Sequence, residues 1–134
     1  VEVNPAMPIS VQLLDVKGVP LGQGTMRDLS LTGVGLSVPI ETLHSVQRNA
    51  MVQVAFVLDG HDMSLPGEVR FARKVTATQT DDVVPVSTAI LGIEFDADAC
   101  TESTTNRRLA NWVMRRQREI QRLKQLAKDQ LFEA

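Results

Sequence analysis

Asp28, Ser30 and Gly33 are the residues whose types and spacing best suit ligand chemistry. They lie in Arg27-Asp28-Leu29-Ser30-Leu31-Thr32-Gly33 and fill the pattern Asp/Asn-x-Ser-x-x-Gly. A carboxylate there accepts two N–H bonds from a guanine's Watson–Crick edge, and a hydroxyl donates or accepts beside it. Glycine permits positive φ and lets a flat base approach the backbone. The plainer account is that Asp28 and Ser30 cap their own turn, as such residues often do. Arg27 adjoins the motif and counts with it as a candidate ligand residue.

Catalytic sets are not apparent. His44 and His61 are the only histidines, each in or beside a polar turn, and Cys100 has no histidine nearby in sequence. No His/Cys/Asp cluster has metal-ligand spacing, and no glycine-rich phosphate loop leads into a helix. The expectation is a non-enzyme without metal or cofactor.

The motif needs a scaffold, and the chain's periodicity supplies one. Residues 9–14 alternate apolar and polar, as a half-buried strand does. Further strands are expected over Leu21–Leu29, Val34–Val38, Met51–Leu58, Met63–Lys74 and Val86–Phe95. Val52, Val54 and Phe56 share one face. Asp59-Gly60 is a hairpin turn signal. Pro66 marks an edge or bulge, and Gly22 and Gly24 a bulge or close backbone approach. Residues 40–50 read as irregular or one short helical turn, and Thr76–Pro85 as a loop. Short strands with no helix between them predict a sandwich or barrel, and closure removes exposed edges.

From Ser103 or Thr104, a plausible N-cap, to about Phe132 there is no Gly or Pro, and helix formers dominate. About 29 helical residues span roughly 44 Å, more than a small barrel can cover. Leu109, Val113, Ile120, Leu123 and Ala127 form an apolar stripe, interrupted by Arg116 and Gln130. The far half, from about Ile120, needs another surface, which predicts self-association. Trp112 is expected to pack the helix onto the barrel. The division is thus 1–102, barrel, and 103–134, packing and oligomerisation helix.

Charge agrees with this division. Thr104–Ala134 holds eight Lys/Arg against three Asp/Glu, +5, while the preceding residues hold six against thirteen, −7. An acidic body with few aromatics (four Phe, one Trp, no Tyr) argues against a nucleic-acid polymer as partner. A basic tail suits an acidic partner, including the body of another copy. A single cysteine fits a reducing compartment, and no apolar run has the length of a membrane span. The location expected is cytoplasmic, with no membrane insertion.

Asp28-Leu29-Ser30-Leu31-Thr32-Gly33-Val34-Gly35-Leu36-Ser37-Val38 resembles the second and third strands of a PilZ domain. Leu65-Pro66-Gly67-Glu68-Val69-Arg70 is similar to the family's Gly-x-Val strand, and Ile90-Leu91-Gly92-Ile93-Glu94-Phe95 to its last strand. The resemblance covers about residues 8–100 in the family's order. It implies a six-stranded β-barrel followed by a long C-terminal helix, in a bacterial signalling protein of the cyclic di-GMP pathway. The family binds that ligand with the Asp/Asn-x-Ser-x-x-Gly turn, here Asp28, Ser30 and Gly33, and with an Arg-x-x-x-Arg segment before the first strand. Guanidinium groups grip phosphates and guanine edges in a bidentate manner that Lys and apolar residues do not reproduce.

Here the sequence departs from the family. Val1-Glu2-Val3-Asn4-Pro5-Ala6-Met7-Pro8 contains no arginine. The two arginines would fall near Val3 or Asn4 and near Met7 or Pro8. Losing even one buried bidentate pair costs several kcal/mol. The expectation is weak or absent cyclic di-GMP binding, with function through an unidentified protein partner and self-association. The alternative is a working receptor whose arginines lie upstream or are replaced, for example by Arg27, Arg70 or Arg73.

Overall fold

The computed structural model describes residues 1–75, 88–100 and 103–132. Six antiparallel strands close into one barrel: β1 (Ser10–Leu14), β2 (Pro20–Leu29), β3 (Gly33–Pro39), β4 (Met51–Leu58), β5 (His61–Val75) and β6 (Thr88–Phe95). Their order around the barrel is β1-β2-β3-β6-β5-β4. A single 3-10 turn, Ile40–His44, links β3 towards β4. Helix α1 (Ala97–Cys100) and the long α2 (Ser103–Phe132) follow. The expected barrel and helix are therefore both present. Strand β5 is longer than expected at both ends. The loop expected over Thr76–Pro85 lies outside the described residues. Helix α2 is described from Ser103 onward, where the N-cap is expected, directly after residues that lie outside the described ones.

Alternation fills the barrel. Leu13, Leu29, Leu36, Leu58, Leu91, Val54 and Val69 are buried side by side in one core, each contributing about 1.5–3 kcal/mol. Val52, Val54 and Phe56 point inward together. The β4–β5 hairpin closes on Asp59 and Gly60, both at positive φ (51° and 79°), as a two-residue turn requires. Pro66 pairs with Gln53 of β4, while the β5–β6 pairing stops at Gly67. Its missing N–H thus falls where β6 has ended, and its carbonyl accepts from Asp96 N at 2.9 Å. Gly24 meets the expected close approach: a methyl there would lie 2.6 Å from the Ser37 carbonyl oxygen.

Helix α2 docks by its first half only. Leu109, Trp112 and Val113 join the barrel core, together with Val3. Arg115 forms an ion pair with Asp59 in the β4–β5 turn. Arg116, which interrupts the apolar stripe in sequence, is buried on this docked face. Its Nε donates to the Glu2 carbonyl oxygen at 2.8 Å and its Nη1 to Glu119 Oε1 at 2.7 Å. The guanidinium is buried with its charge paired and two of its donors engaged, which makes burial tolerable. Beyond Glu119 the helix leaves the barrel. Ile120 is half-buried, and Leu123 and Leu126 are 56% and 52% exposed. No helix among the described residues is long and apolar enough to cross a membrane.

Candidate functional site

Two β-bulges build the site. Along β2, Met26 pairs with Leu36 and the next pair is Asp28 with Gly35, leaving Arg27 as the extra residue. Along β5, Val69 pairs with Ile93 and the next pair is Phe71 with Gly92, leaving Arg70 as the extra residue. An extra residue reverses the inside–outside alternation of everything after it. Met26 and Val69 point into the core, so strict alternation would send Asp28 and Phe71 inward as well. The bulges turn both outward, onto the same face.

The register then sets one row across four strands: Asp28 of β2, Gly35 of β3, Gly92 of β6 and Phe71 of β5. The two central glycines leave room for the flanking side chains. A methyl on Gly35 would lie 2.8 Å from both carboxylate oxygens of Asp28. A methyl on Gly92 would run into the Phe71 ring, which stays 49% exposed. The result is an open cleft of about 550 Å³ bounded by Arg27, Asp28, Gly33, Arg70, Phe71 and Glu94.

The motif residues divide their work. Ser30 holds the β2–β3 turn: its hydroxyl accepts from Gly33 N at 3.1 Å and Thr32 N at 3.2 Å. Its own N–H donates to the Gly33 carbonyl at 2.9 Å. Capping of the turn therefore accounts for Ser30 but not for Asp28, whose carboxylate is exposed and has no hydrogen-bond or ion-pair partner among the described residues. Gly33 corrects the expectation of positive φ. Among the described glycines, only Gly18 and Gly60 have positive φ. Gly33 is needed because β6 passes close by: a methyl there would lie 2.5 Å from the Ile93 carbonyl oxygen.

The electrostatics of this end are mostly negative. Arg70 Nε donates to Glu94 Oε2 at 2.7 Å, and its Nη1 lies 3.3 Å from Glu68 Oε2. The Glu94 hydrogen bond, followed by the charges of Glu68 and Glu94, raises the Arg70 pKa further. Glu2 forms an isolated antiparallel bridge with Asp28, which sets two carboxylates on one face directly opposite each other. Arg27 is the cation at this end with no ion pair among the described residues.

The segment ahead of β1 runs beside Asp28. Val3 N donates to Arg27 O and Leu29 N to Val1 O, both at 2.9 Å, while 4–8 loop outward before Ile9 rejoins β2. Where the family's arginines would fall the chain holds Val3, Asn4, Met7 and Pro8, and of these Val3 bonds to β2 next to Asp28.

Of the residues singled out in sequence, Arg27, Asp28, Ser30 and Gly33 come together here. Phe71, Gly35 and Gly92 were missed, because a bulge leaves no mark in an alternation pattern. Arg70 lines the cleft, but Arg73 stands one row away, paired with Ile90. Among the described residues no group of His, Cys, Asp and Glu is arranged to hold a metal ion.

The chain is a small closed six-stranded barrel with an open outer cleft beside the β2–β3 turn. The chain belongs to the PilZ domain family, whose model matches residues 5–114. The fold is similar to the PilZ domain of YcgR from Escherichia coli, solved with c-di-GMP, at TM-score 0.64 and 15% identity, covering 100% of this chain and 95% of that one. It is also similar to MrkH from K. pneumonia in its c-di-GMP complex, at TM-score 0.71 and 13% identity. That match covers 91% of this chain but 52% of MrkH, so the chain spans about half of that protein. The apo form of MrkH matches at TM-score 0.65 and 13% identity, over 89% of this chain and 52% of that one. No curated protein sequence matches the chain significantly.

Proposed function

We propose that this chain is a non-enzymatic signalling and adaptor module of the cyclic di-GMP pathway. Its own hold on cyclic di-GMP is weak or absent, and its output passes through protein contacts. The observation that carries this reading is the charge around Asp28. Glu94 lines the cleft and, with Glu68, already pairs Arg70; Glu2 stands opposite Asp28, and no arginine stands in the segment ahead of β1. A ligand with two phosphate charges finds no arginine pair there to clamp it. Asp28 keeps the capacity to accept from a guanine edge, with the turn held by Ser30 and Gly33. The alternative, a competent receptor, draws support from Arg27 and Arg70, which line the same cleft.

The division of labour follows the chain. Residues 1–102 act as the PilZ-like barrel and 103–134 as a helix that docks first and then associates. Ile120, Leu123 and Ala127 continue the stripe begun by Leu109 and Val113 after the barrel has ended. We assign them to contact with a second copy, with an unidentified protein partner as the further output. The basic character of the helical segment as a whole, +5 over Thr104–Ala134, suits the acidic barrel of that copy. The reading needs no cofactor and no nucleic-acid polymer, and it assigns the module to the cytoplasm.

Two measurements test it. A ligand at about 1,000 times its Kd stabilises a fold by about 4.1 kcal/mol, and one near its Kd by a small fraction of that. Millimolar cyclic di-GMP should therefore leave Tm almost unmoved, in the unaltered chain and in Asp28→Ala alike. A large rise abolished by Asp28→Ala would favour the receptor. Separately, Ile120→Asp with Leu123→Asp should reduce the mass in light scattering to that of a monomer. An unchanged mass would refute helix-driven association.

A further inference from the structure

The barrel carries six lysines and arginines before Thr104: Lys17, Arg27, Arg48, Arg70, Arg73 and Lys74. Three of them, Arg27, Arg73 and Lys74, line a single outer cleft with Ser37, Thr88 and Ile90. No carboxylate lines this cleft among the described residues, and none of the three cations has an ion pair there. With no carboxylate among the described lining residues, half the cations of an acidic barrel concentrate positive charge in this one cleft. Such clusters suit anion binding.

This cleft adjoins the Asp28 cleft and shares Arg27 and Ile90 with it. The register fixes how. Ser37 pairs with Ile90 and Ile90 with Arg73, two residues along the strands from the Gly35–Gly92–Phe71 row. Two strand residues cover about 6.8 Å. That is close to the distance from a purine base to its own 5′-phosphate. Ile90, which is largely buried, supplies an apolar base to this end. The combined cleft is therefore polarised. Asp28 and Phe71 offer a hydrogen-bond acceptor and an aromatic surface at one end, and Arg27, Arg73 and Lys74 offer positive charge at the other.

We propose that Arg27, Arg73 and Lys74 form a phosphate subsite for the terminal phosphate of a linear guanine nucleotide. The base would lie against Phe71 with its edge on Asp28. A terminal phosphate carries nearly two charges at one end of the ligand. Cyclic di-GMP instead carries only singly charged diesters, and no terminal phosphate. The ligand class rests on the reading of Asp28 as a guanine acceptor; the phosphate subsite does not.

The test is a titration of the full chain followed by backbone amide NMR. The probes are guanosine 5′-monophosphate, adenosine 5′-monophosphate and inorganic pyrophosphate. Guanosine 5′-monophosphate should move the amides of Arg27, Ser37 and Arg73 and bind more tightly than cyclic di-GMP. Arg73→Gln with Lys74→Gln, both at exposed positions, should weaken it about 30-fold, as loss of charge-assisted bonds implies. Pyrophosphate should move the same amides in the unaltered chain and not in the double variant. If the adenine nucleotide binds as tightly as the guanine one, the guanine reading of Asp28 fails and the phosphate subsite stands. If neither nucleotide nor pyrophosphate moves these amides, or the double variant binds them equally well, the subsite is overturned.

Discussion

Introducing arginine at positions 4 and 8 (Asn4→Arg with Pro8→Arg) should raise the affinity for cyclic di-GMP by about 100-fold. The reason is positional. The segment from Val1 to Val3 pairs along β2 beside Asp28, and 4–8 loop out immediately afterwards. Pro8 is exposed and Asn4 half-buried, so neither replacement disturbs the core. Two guanidinium groups four residues apart reproduce the spacing of the family's clamp. Desolvated charge pairs across an interface are worth about 2–5 kcal/mol when truncated, so restoring part of that range gives the factor of 100. Lysine at the same positions should recover much less, because it lacks the bidentate fork. Isothermal titration of the two double variants beside the unaltered chain measures the difference. If neither gains affinity, the carboxylates around Asp28, rather than the missing arginines, set the limit.

Leu109→Ala should lower stability by about 3 kcal/mol. Leu109 is fully buried where α2 meets the barrel core, together with Trp112 and Val113. Large-to-small changes at such sites cost about 2–5 kcal/mol, since both transfer energy and a cavity are involved. For a domain of this size that lowers Tm by roughly 10–15 °C. Leu123→Ala, on the half of α2 that has left the barrel, should change the stability of the monomer by less than about 0.5 kcal/mol. Equal losses at the two positions would mean that α2 packs along its whole length, against the exposure of Leu123 and Leu126.

The strands and the helix were legible because hydrophobic period survives in the sequence. Val52, Val54 and Phe56 face inward as their spacing predicts, and the Asp59–Gly60 turn adopts the backbone its residues favour. The site was only half legible. Asp28 and Ser30 are recognisable as polar turn residues, but their different roles depend on which N–H groups Ser30 reaches. Gly33 answers to a carbonyl on β6, about sixty residues away in sequence, which local turn chemistry does not anticipate. Phe71 shares the apolar character of the core strands, and only the bulge at Arg70 places it outside. Arg116 reads as a break in the helical stripe, yet the Glu2 carbonyl and Glu119 make it part of the docked face. In each case the deciding partner comes from another element, and the pattern within one element does not name it.

On the reading proposed above, the cleft beside Asp28 lacks an adequate clamp for cyclic di-GMP. Isothermal titration of the unaltered chain with cyclic di-GMP tests it most directly, with Asp28→Ala run in parallel. Neither protein should give resolvable heat below millimolar ligand. Micromolar binding in the unaltered chain, lost in Asp28→Ala, would contradict it and make this barrel a receptor in its own right.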